Sequence, residues 1–248
     1  WLLDEGRLRS LLAAGLRSLT ISLDGLETDH DWMRGRTGSF ERTWKAIQLL
    51  CKTKGLVWDV DTCVNRRTLT RLEEMRQRLL SIGVTRWRLL TIFPVGRAAK
   101  DPDMILTDDE YKQMLDYIRQ QRLDYQAGRT PMLCYYGCEG FLGEYEGEVR
   151  DHLFDCEAGI SMASILIDGQ ISACTSIRSD YHQGNIYKDD FWQVWEERFQ
   201  VFRDRSWTKQ GPCADCKLYP YCEGGGMHLR GENNKLLFCR ANQVKNYE

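Results

Sequence analysis

The sequence predicts an α/β protein in which a parallel sheet closes part of a barrel and a small cysteine-rich region with a β-hairpin follows. Three observations carry this. Strand and helix patterns alternate through the first half of the 248 residues, the signature of βαβ units with right-handed crossovers. Two of the three predicted strands have a polar face, whereas strands of an open doubly wound sheet are apolar on both. Eight of the ten cysteines fall between positions 134 and 239.

Residues 4–14 (DEGRLRSLLAA) form an amphipathic helix that opens on acidic side chains and stops at Gly15. In LRSLTISLDG, Leu19, Ile21 and Leu23 share one face and Thr20, Ser22 and Asp24 the other. The helix TGSFERTWKAIQLLCKTKG follows, with Ser39 expected as N-cap and Gly55 as stop. The second strand, LVWDVDTCVN, sets Asp59, Asp61, Cys63 and Asn65 opposite Val60, Thr62 and Val64. Thr70 and Glu73 read as a capping box opening a helix that ends at Gly83. The third strand is VTRWRLLTIF. After a Pro- and Gly-bearing loop, Thr107 and Glu110 cap the helix TDDEYKQMLDYIRQQ. Three strands cannot close a barrel, so further strands or another element must cover the edge. Beyond residue 126 the pattern changes. SMASILIDGQISAC is a β-hairpin with Asp168-Gly169 as a type I′ turn. In KDDFWQVWEERFQVFRDR, the residues Phe191, Trp192, Trp195, Phe199 and Phe202 form an apolar stripe that reads as core. The expected ranges are a barrel part over 1–126, a linker over 127–155 and a cysteine-rich domain over 156–248.

Composition excludes several classes. With 42% hydrophobic and 28% charged residues, wholesale disorder is excluded. No apolar run approaches the length of a membrane span, and no signal peptide is visible, so a cytoplasmic location is expected. The net charge of −2 argues against a general nucleic-acid binder. Residues 1–100 carry +7, residues 101–160 carry −9 and the remainder is neutral. The basic first third suits an anionic small ligand or, equally, a solvated helix face.

Without a secretory signal, clustered cysteines point to metal rather than to disulfides. Cys213-x2-Cys216-x5-Cys222-x16-Cys239 supplies four thiolates in a Gly-rich, irregular segment that needs another source of order. Such a set can wrap one tetrahedral ion or one iron–sulfur cube, and spacing does not separate zinc from iron. Cys134-x3-Cys138 reads either as further ligands or as an ordinary loop pair. Cys51 follows an apolar helix run and reads as core, and Cys63, on a polar strand face, as an inert thiol.

The order Cys156-x12-Gly169-x4-Cys174, then Cys213-x2-Cys216-x5-Cys222, then Cys239 resembles the SPASM domain of radical S-adenosylmethionine (SAM) enzymes. In those enzymes it follows a (β/α)6 partial TIM-like barrel. LTISLDG with HDWMRGRTGSFERTWKAIQLL looks like the fourth strand and following helix of that barrel, and VDTCVN and RLLTIFPVGRA look like the fifth and sixth. The resemblance implies peptide- or protein-modifying maturases, such as the anaerobic sulfatase-maturating enzymes. Two departures stand out. The Cys-x3-Cys-x2-Cys loop that holds the SAM-binding 4Fe-4S cluster is absent, and the chain begins at Trp1. The expectation is therefore an N-terminally truncated member, the alternative a degenerate one without that cluster. Four residues after Cys222 the family's usual cysteine is replaced by Gly226. In the family that cysteine serves a first auxiliary cluster, which leaves either Cys134, Cys138, Cys156 and Cys174 as a rerouted set or a lost or open-site first cluster, with His228 read as a substitute ligand or an ordinary surface residue.

By the same resemblance Ser22, Asp24, Arg34 and Asn65 lie near SAM or substrate. Active sites of parallel α/β folds gather at strand C-termini, where Ser22, Asp24 and Asn65 stand, and Arg34 suits the carboxylate of SAM or of an acidic substrate group. The expected metal ligands are Cys213, Cys216, Cys222, Cys239, Cys156, Cys174, Cys138 and Cys134. The implied function is hydrogen abstraction from a peptide or protein by a 5′-deoxyadenosyl radical, an oxidoreductase chemistry in which auxiliary 4Fe-4S clusters relay electrons or position substrate. A flavodoxin- or ferredoxin-type donor is the implied partner. A non-catalytic peptide-binding scaffold with a structural metal site is the alternative, and a zinc-stapled interaction module a third.

Overall fold

The computed structural model describes residues 3–244, so positions 1–2 and 245–248 of the two expected domain ranges lie outside the described residues. The chain forms two compact units. One comprises the residues up to Gly137 together with Gly147–Asp151, the other Cys138–Glu146 together with the residues from His152 on.

The first unit holds α1 (Glu5–Ala13), β1 (Ser18–Ser22), α2 (Glu27–Arg34), α3 (Ser39–Cys51), β2 (Val57–Val64), α4 (Arg66–Leu69), α5 (Leu72–Ser81), β3 (Arg86–Thr91), α6 (Asp108–Gln126) and β4 (Leu133–Tyr136). Its sheet is parallel throughout, in the order β1-β2-β3-β4. Val60, Val64, Trp87, Leu89, Cys134 and Tyr136 on one side are buried, as are Ile47, Leu50, Leu79, Met114 and Ile118 of the crossover helices. Each such side chain contributes about 1.5–3 kcal/mol. The Trp87 indole N–H donates to Thr62 Oγ1 at 2.8 Å, so the largest side chain of this core has its one polar atom satisfied.

The opposite face is polar, as the alternation requires. Thr20 stands beside Asp59, Ser22 beside Asp61, Asp61 beside Arg88 and Arg88 beside Tyr135. Asp59 gathers this row: the Thr20 hydroxyl donates to it at 2.7 Å, Arg88 pairs with it at 3.0 Å and the Tyr135 hydroxyl donates to its second oxygen. A sheet with helices on one face and polar groups on the other is half of a barrel wall, not a doubly wound layer.

Several local expectations are corrected. A fourth strand, β4, lies inside the range read as a linker. Helix α2 was not anticipated. Helix α3 has Gly38, not Ser39, at its N-cap, and the Asp31 carboxylate takes the first amides instead: Gly38 N–H at 2.6 Å and Phe40 N–H at 2.8 Å. Asn65, not Thr70, makes the second capping box, with Thr68 and at the start of α4. The Thr107–Glu110 box of α6 is present as expected.

The second unit contains an antiparallel sheet of β5 (Ser164–Ile165), β6 (Gln170–Ser172) and β7 (Gly184–Asn185), followed by α7 (Phe191–Glu197), α8 (Gln200–Arg203), α9 (Tyr219–Cys222) and α10 (Arg240–Gln243). The β5–β6 turn is not type I′, which needs two left-handed residues. Only Gly169 has positive φ (83°), and its N–H returns to Leu166 O at 2.9 Å, a three-residue loop closed by a glycine bulge. The single predicted aromatic helix breaks at Arg198 into α7 and α8. Phe199 and Phe202 are fully buried, whereas Trp192 is exposed and leaves the stripe. Gly159 lets Phe202 approach its backbone, since a Cβ there would lie 2.4 Å from that ring's own Cβ.

Candidate functional site

In the second unit, Cys213, Cys216, Cys222 and Cys239 line one cavity of about 480 Å³. Local turns present them. Gly211–Cys213 is a 3-10 turn, Cys216 N–H reaches back to Cys213 O, and α9 ends at Cys222. Beyond it the chain reverses through three left-handed residues, Glu223, Gly224 and Gly225. The buried Arg230 guanidinium locks this reversal by donating to Gly224 O, and the same nitrogen lies 3.7 Å from Cys213 Sγ. A Cβ at Gly224 would lie 2.5 Å from that guanidinium. Arg230 was not singled out from the sequence, and nothing in its spacing marks it.

Burial first, then the Cys239 and Cys213 thiols, push the Cys222 thiol up to about 11. Several thiolates facing one space are mutually repulsive until a cationic core occupies it. Among the described residues no three His, Cys, Asp or Glu side chains converge tightly enough for a single metal ion. Ligands of a 4Fe-4S cube sit on four different irons and stand further apart than those of one ion. Four cysteines lining one cavity are a donor set of the kind an iron–sulfur cluster takes.

Cys138, Cys156 and Cys174 belong to the same unit. Burial raises the Cys138 thiol, and the charges of Glu139, Cys156 and Cys174 act on it in the same direction. Cys134 is not with them. It lies on β4 in the first unit, fully buried, its thiol pushed up to about 12 by burial with Arg122 and Arg76 as the countering charges. Strand alternation turns it to the apolar face of the sheet, so the x3 spacing to Cys138 does not make a ligand pair.

At the strand ends of the first unit, Asp24 is fully buried. Its carboxylate accepts from Cys63 N–H at 2.9 Å and pairs with Arg34 at 2.5 Å, and its own N–H donates to His30 Nδ1 at 3.0 Å. Burial raises the Asp24 carboxyl above the usual range, against the lowering by Arg34. Ser22, half-buried, ends β1 beside Asp61. Asn65 uses Oδ1 for the α4 cap, but its buried Nδ2 has no hydrogen-bond partner, and neither has buried Asp61 Oδ1. The structure thus brings Asp24 and Arg34 together as an ion pair and leaves Asn65 and Asp61 with one open polar atom each. Asp61 lay on the predicted polar face, and only its lack of a partner singles it out.

Residues 156–217 match the SPASM family, an iron–sulfur cluster-binding domain. The chain is 28% identical over 233 residues to an AdoMet-dependent heme synthase of Oleidesulfovibrio alaskensis, covering 88% of this chain and 58% of that protein. It is 28% identical over 222 residues to the mycofactocin maturase MftC of Mycobacterium tuberculosis (88% and 54%). To the subtilosin biosynthesis protein AlbA of Bacillus subtilis it is 24% identical over 222 residues (86% and 45%). The chain thus spans roughly half to three-fifths of these relatives. A structure of anSMEcpe with bound AdoMet and a peptide superposes with a TM-score of 0.69 at 17% identity, covering 98% of this chain and 68% of that one. The expected resemblance to radical SAM enzymes carrying a SPASM domain holds, as does the α/β fold, and residues 156–217 match an iron–sulfur cluster-binding domain.

Proposed function

We propose that this chain forms the barrel wall and auxiliary-cluster part of a radical SAM enzyme that takes a hydrogen atom from a peptide or protein. The observation that carries the reading is the four-cysteine cavity in a SPASM-matching domain, preceded in the same chain by a parallel sheet with a polar face. In such an enzyme SAM, held at a reduced 4Fe-4S cluster, supplies the 5′-deoxyadenosyl radical. The Cys-x3-Cys-x2-Cys sequence for that cluster does not occur in these 248 residues.

This chain's own residues bind and orient. Ser22 and Asn65 stand at strand C-termini. The unpartnered Asn65 Nδ2 offers a donor and Asp61 Oδ1 an acceptor to SAM or substrate. Asp24 acts through Arg34, fixing a guanidinium that is two-fifths exposed and keeps donors free for a carboxylate. Cys213, Cys216, Cys222 and Cys239 would hold an auxiliary cluster that relays electrons or positions substrate, with a flavodoxin- or ferredoxin-type donor in a reducing, cytoplasmic setting.

A second reading, a propionate-bearing tetrapyrrole as substrate, is favoured by relatives named as heme synthases. The test is 5′-deoxyadenosine release by the full-length, cluster-loaded protein with SAM and dithionite, offered a candidate peptide or an iron porphyrin. Release stimulated by peptide supports the first reading, and stimulation by porphyrin alone the second. No 5′-deoxyadenosine with either, or a colourless protein holding stoichiometric zinc, would sink both.

A further inference from the structure

Arg230 is only 3% exposed, and a guanidinium taken out of water needs a counter-charge. Its Nη1 donates to the Asn234 carbonyl and to Asn234 Oδ1, each at 3.3 Å, and its Nη2 donates to Gly224 O. All three acceptors are neutral. Among the described residues no carboxylate pairs with this guanidinium, and its Nε has no hydrogen-bond partner. Arg240, equally buried and lining the same four-cysteine cavity, has its counter-charge in Glu139 at 3.3 Å.

Of the groups in hydrogen-bond contact with Arg230, only Cys213 can be an anion. Nη2 lies 3.7 Å from Cys213 Sγ, and Cys213 is itself buried and lines the cavity. The guanidinium is held in this position from both sides. Asn234, in a left-handed conformation (φ 59°), binds Nη1 through two acceptors. Gly224, also left-handed, lets Nη2 lie against the chain reversal, since an added Cβ would come within 2.5 Å of it. The charge is thus fixed on a cysteine sulfur and not fitted to a carboxylate.

We propose that Arg230 raises the reduction potential of the cluster held by Cys213, Cys216, Cys222 and Cys239, as hydrogen-bond donor and counter-charge to the Cys213 thiolate. The reduced cluster carries one electron more than the oxidised one. A fixed positive charge and an N–H···S bond at a ligand sulfur therefore favour the reduced form. The electron comes from a low-potential donor, dithionite in the test below, and Arg230 keeps its protons throughout. Arg230 acts through Cys213 as a positioning residue. The inference rests on reading the four-cysteine cavity as a cluster site and not on the identity of the substrate.

The test is a redox titration followed by EPR, with iron analysis, on the anaerobically reconstituted full chain. The signal titrated is the one that the double variant Cys213→Ala/Cys216→Ala removes. Arg230→Gln keeps a donor for Gly224 O but carries no charge. A charge-assisted hydrogen bond is worth about tenfold in an equilibrium constant. Arg230→Gln should therefore load wild-type iron and shift its reduction about tenfold toward the oxidised form, a fall in midpoint of about 59 mV for one electron. Arg230→Lys, which keeps the charge, should stay closer to wild type. Because Arg230 also locks the chain reversal, a second variant leaves it in place. Asn234→Asp sets a carboxylate against Nη1, neutralises the guanidinium and should lower the midpoint in the same direction. Asn233→Asp, the same added charge on an exposed neighbour, should not. Wild-type midpoints in Arg230→Gln and Asn234→Asp, with iron retained, would overturn the proposal and leave the cluster standing. If Arg230→Gln fails to load iron, Asn234→Asp decides alone: a lowered midpoint supports the proposal and an unchanged one overturns it. Iron content equal in wild type and Cys213→Ala/Cys216→Ala would overturn both the proposal and the reading of the cavity. None of these readouts requires turnover.

Discussion

His30 makes the loop after β1 sensitive to acid. Its ring is buried (1% exposed), accepts the Asp24 N–H on Nδ1 and faces Ser39 Oγ with Nε2 at 3.3 Å. Burial first, and the Arg34 charge second, lower its pKa from 6.5 to about 4, against the opposing pull of Asp31. The folded protein therefore binds its proton later than the unfolded chain. Stability from this group is complete above pH 6.5 and is lost as pH falls towards 4. At 1.36 kcal/mol per tenfold change in proton affinity, the loss at pH 5.5 is about 1.4 kcal/mol, and close to zero at pH 7.5. Asp24, whose folded pKa is raised, acts with the opposite sign, losing stability as pH rises. A comparison with His30→Gln isolates the imidazole, because glutamine keeps an acceptor and a donor but does not titrate. Urea unfolding of both proteins at pH 7.5 and 5.5 should show the stability gap between them narrowing by about 1.4 kcal/mol at the lower pH. An equal gap at both values would refute the argument.

Three further outcomes can be checked in the same unfolding assay. Thr62→Val leaves the buried Trp87 N–H without its acceptor and should cost about 1–3 kcal/mol. Asp31→Ala removes the acceptor of two amides at the start of α3 and should cost about 0.5–2 kcal/mol, with Asp31→Asn, which keeps only one of the two acceptor oxygens, recovering part of it. Asp59→Ala strands Arg88 and the Tyr135 hydroxyl on the polar sheet face and should cost about 3 kcal/mol, more than the surface ion pair Arg9–Glu5, whose removal should be nearly silent.

The elements legible in the sequence are those whose determinants are local. The acidic opening of α1, the alternation of β1 to β3 and the Thr107–Glu110 box each lie within one element, and the structure places them as read. Determinants supplied from elsewhere were not legible. The α3 cap comes from Asp31, nine residues before Phe40. Strand β4 has only four residues, and pairing with β3 defines it better than any pattern of its own. That missed strand also explains Cys134: within a strand its direction is set by alternation, so nearness in sequence to Cys138 says nothing about nearness of the sulfurs. At the candidate sites, the four-cysteine cavity could be read from spacing. The open atoms of Asn65 and Asp61 and the missing carboxylate partner of Arg230 depend on which contacts the folded chain leaves unmade.

The chain passes between its two units three times, at 137/138, 146/147 and 151/152, and not once. A fragment cut at Cys156, where the SPASM match begins, would omit Cys138, the buried partner of Arg240 and the Phe141 ring that stacks on Tyr221 at 6.0 Å. The cysteine-rich unit is thus not a cassette that a single recombination junction can transplant. Any exchange between relatives must carry residues 138–146 with it. During synthesis, that short segment leaves the ribosome early and waits for about a hundred residues before its partner Arg240 exists.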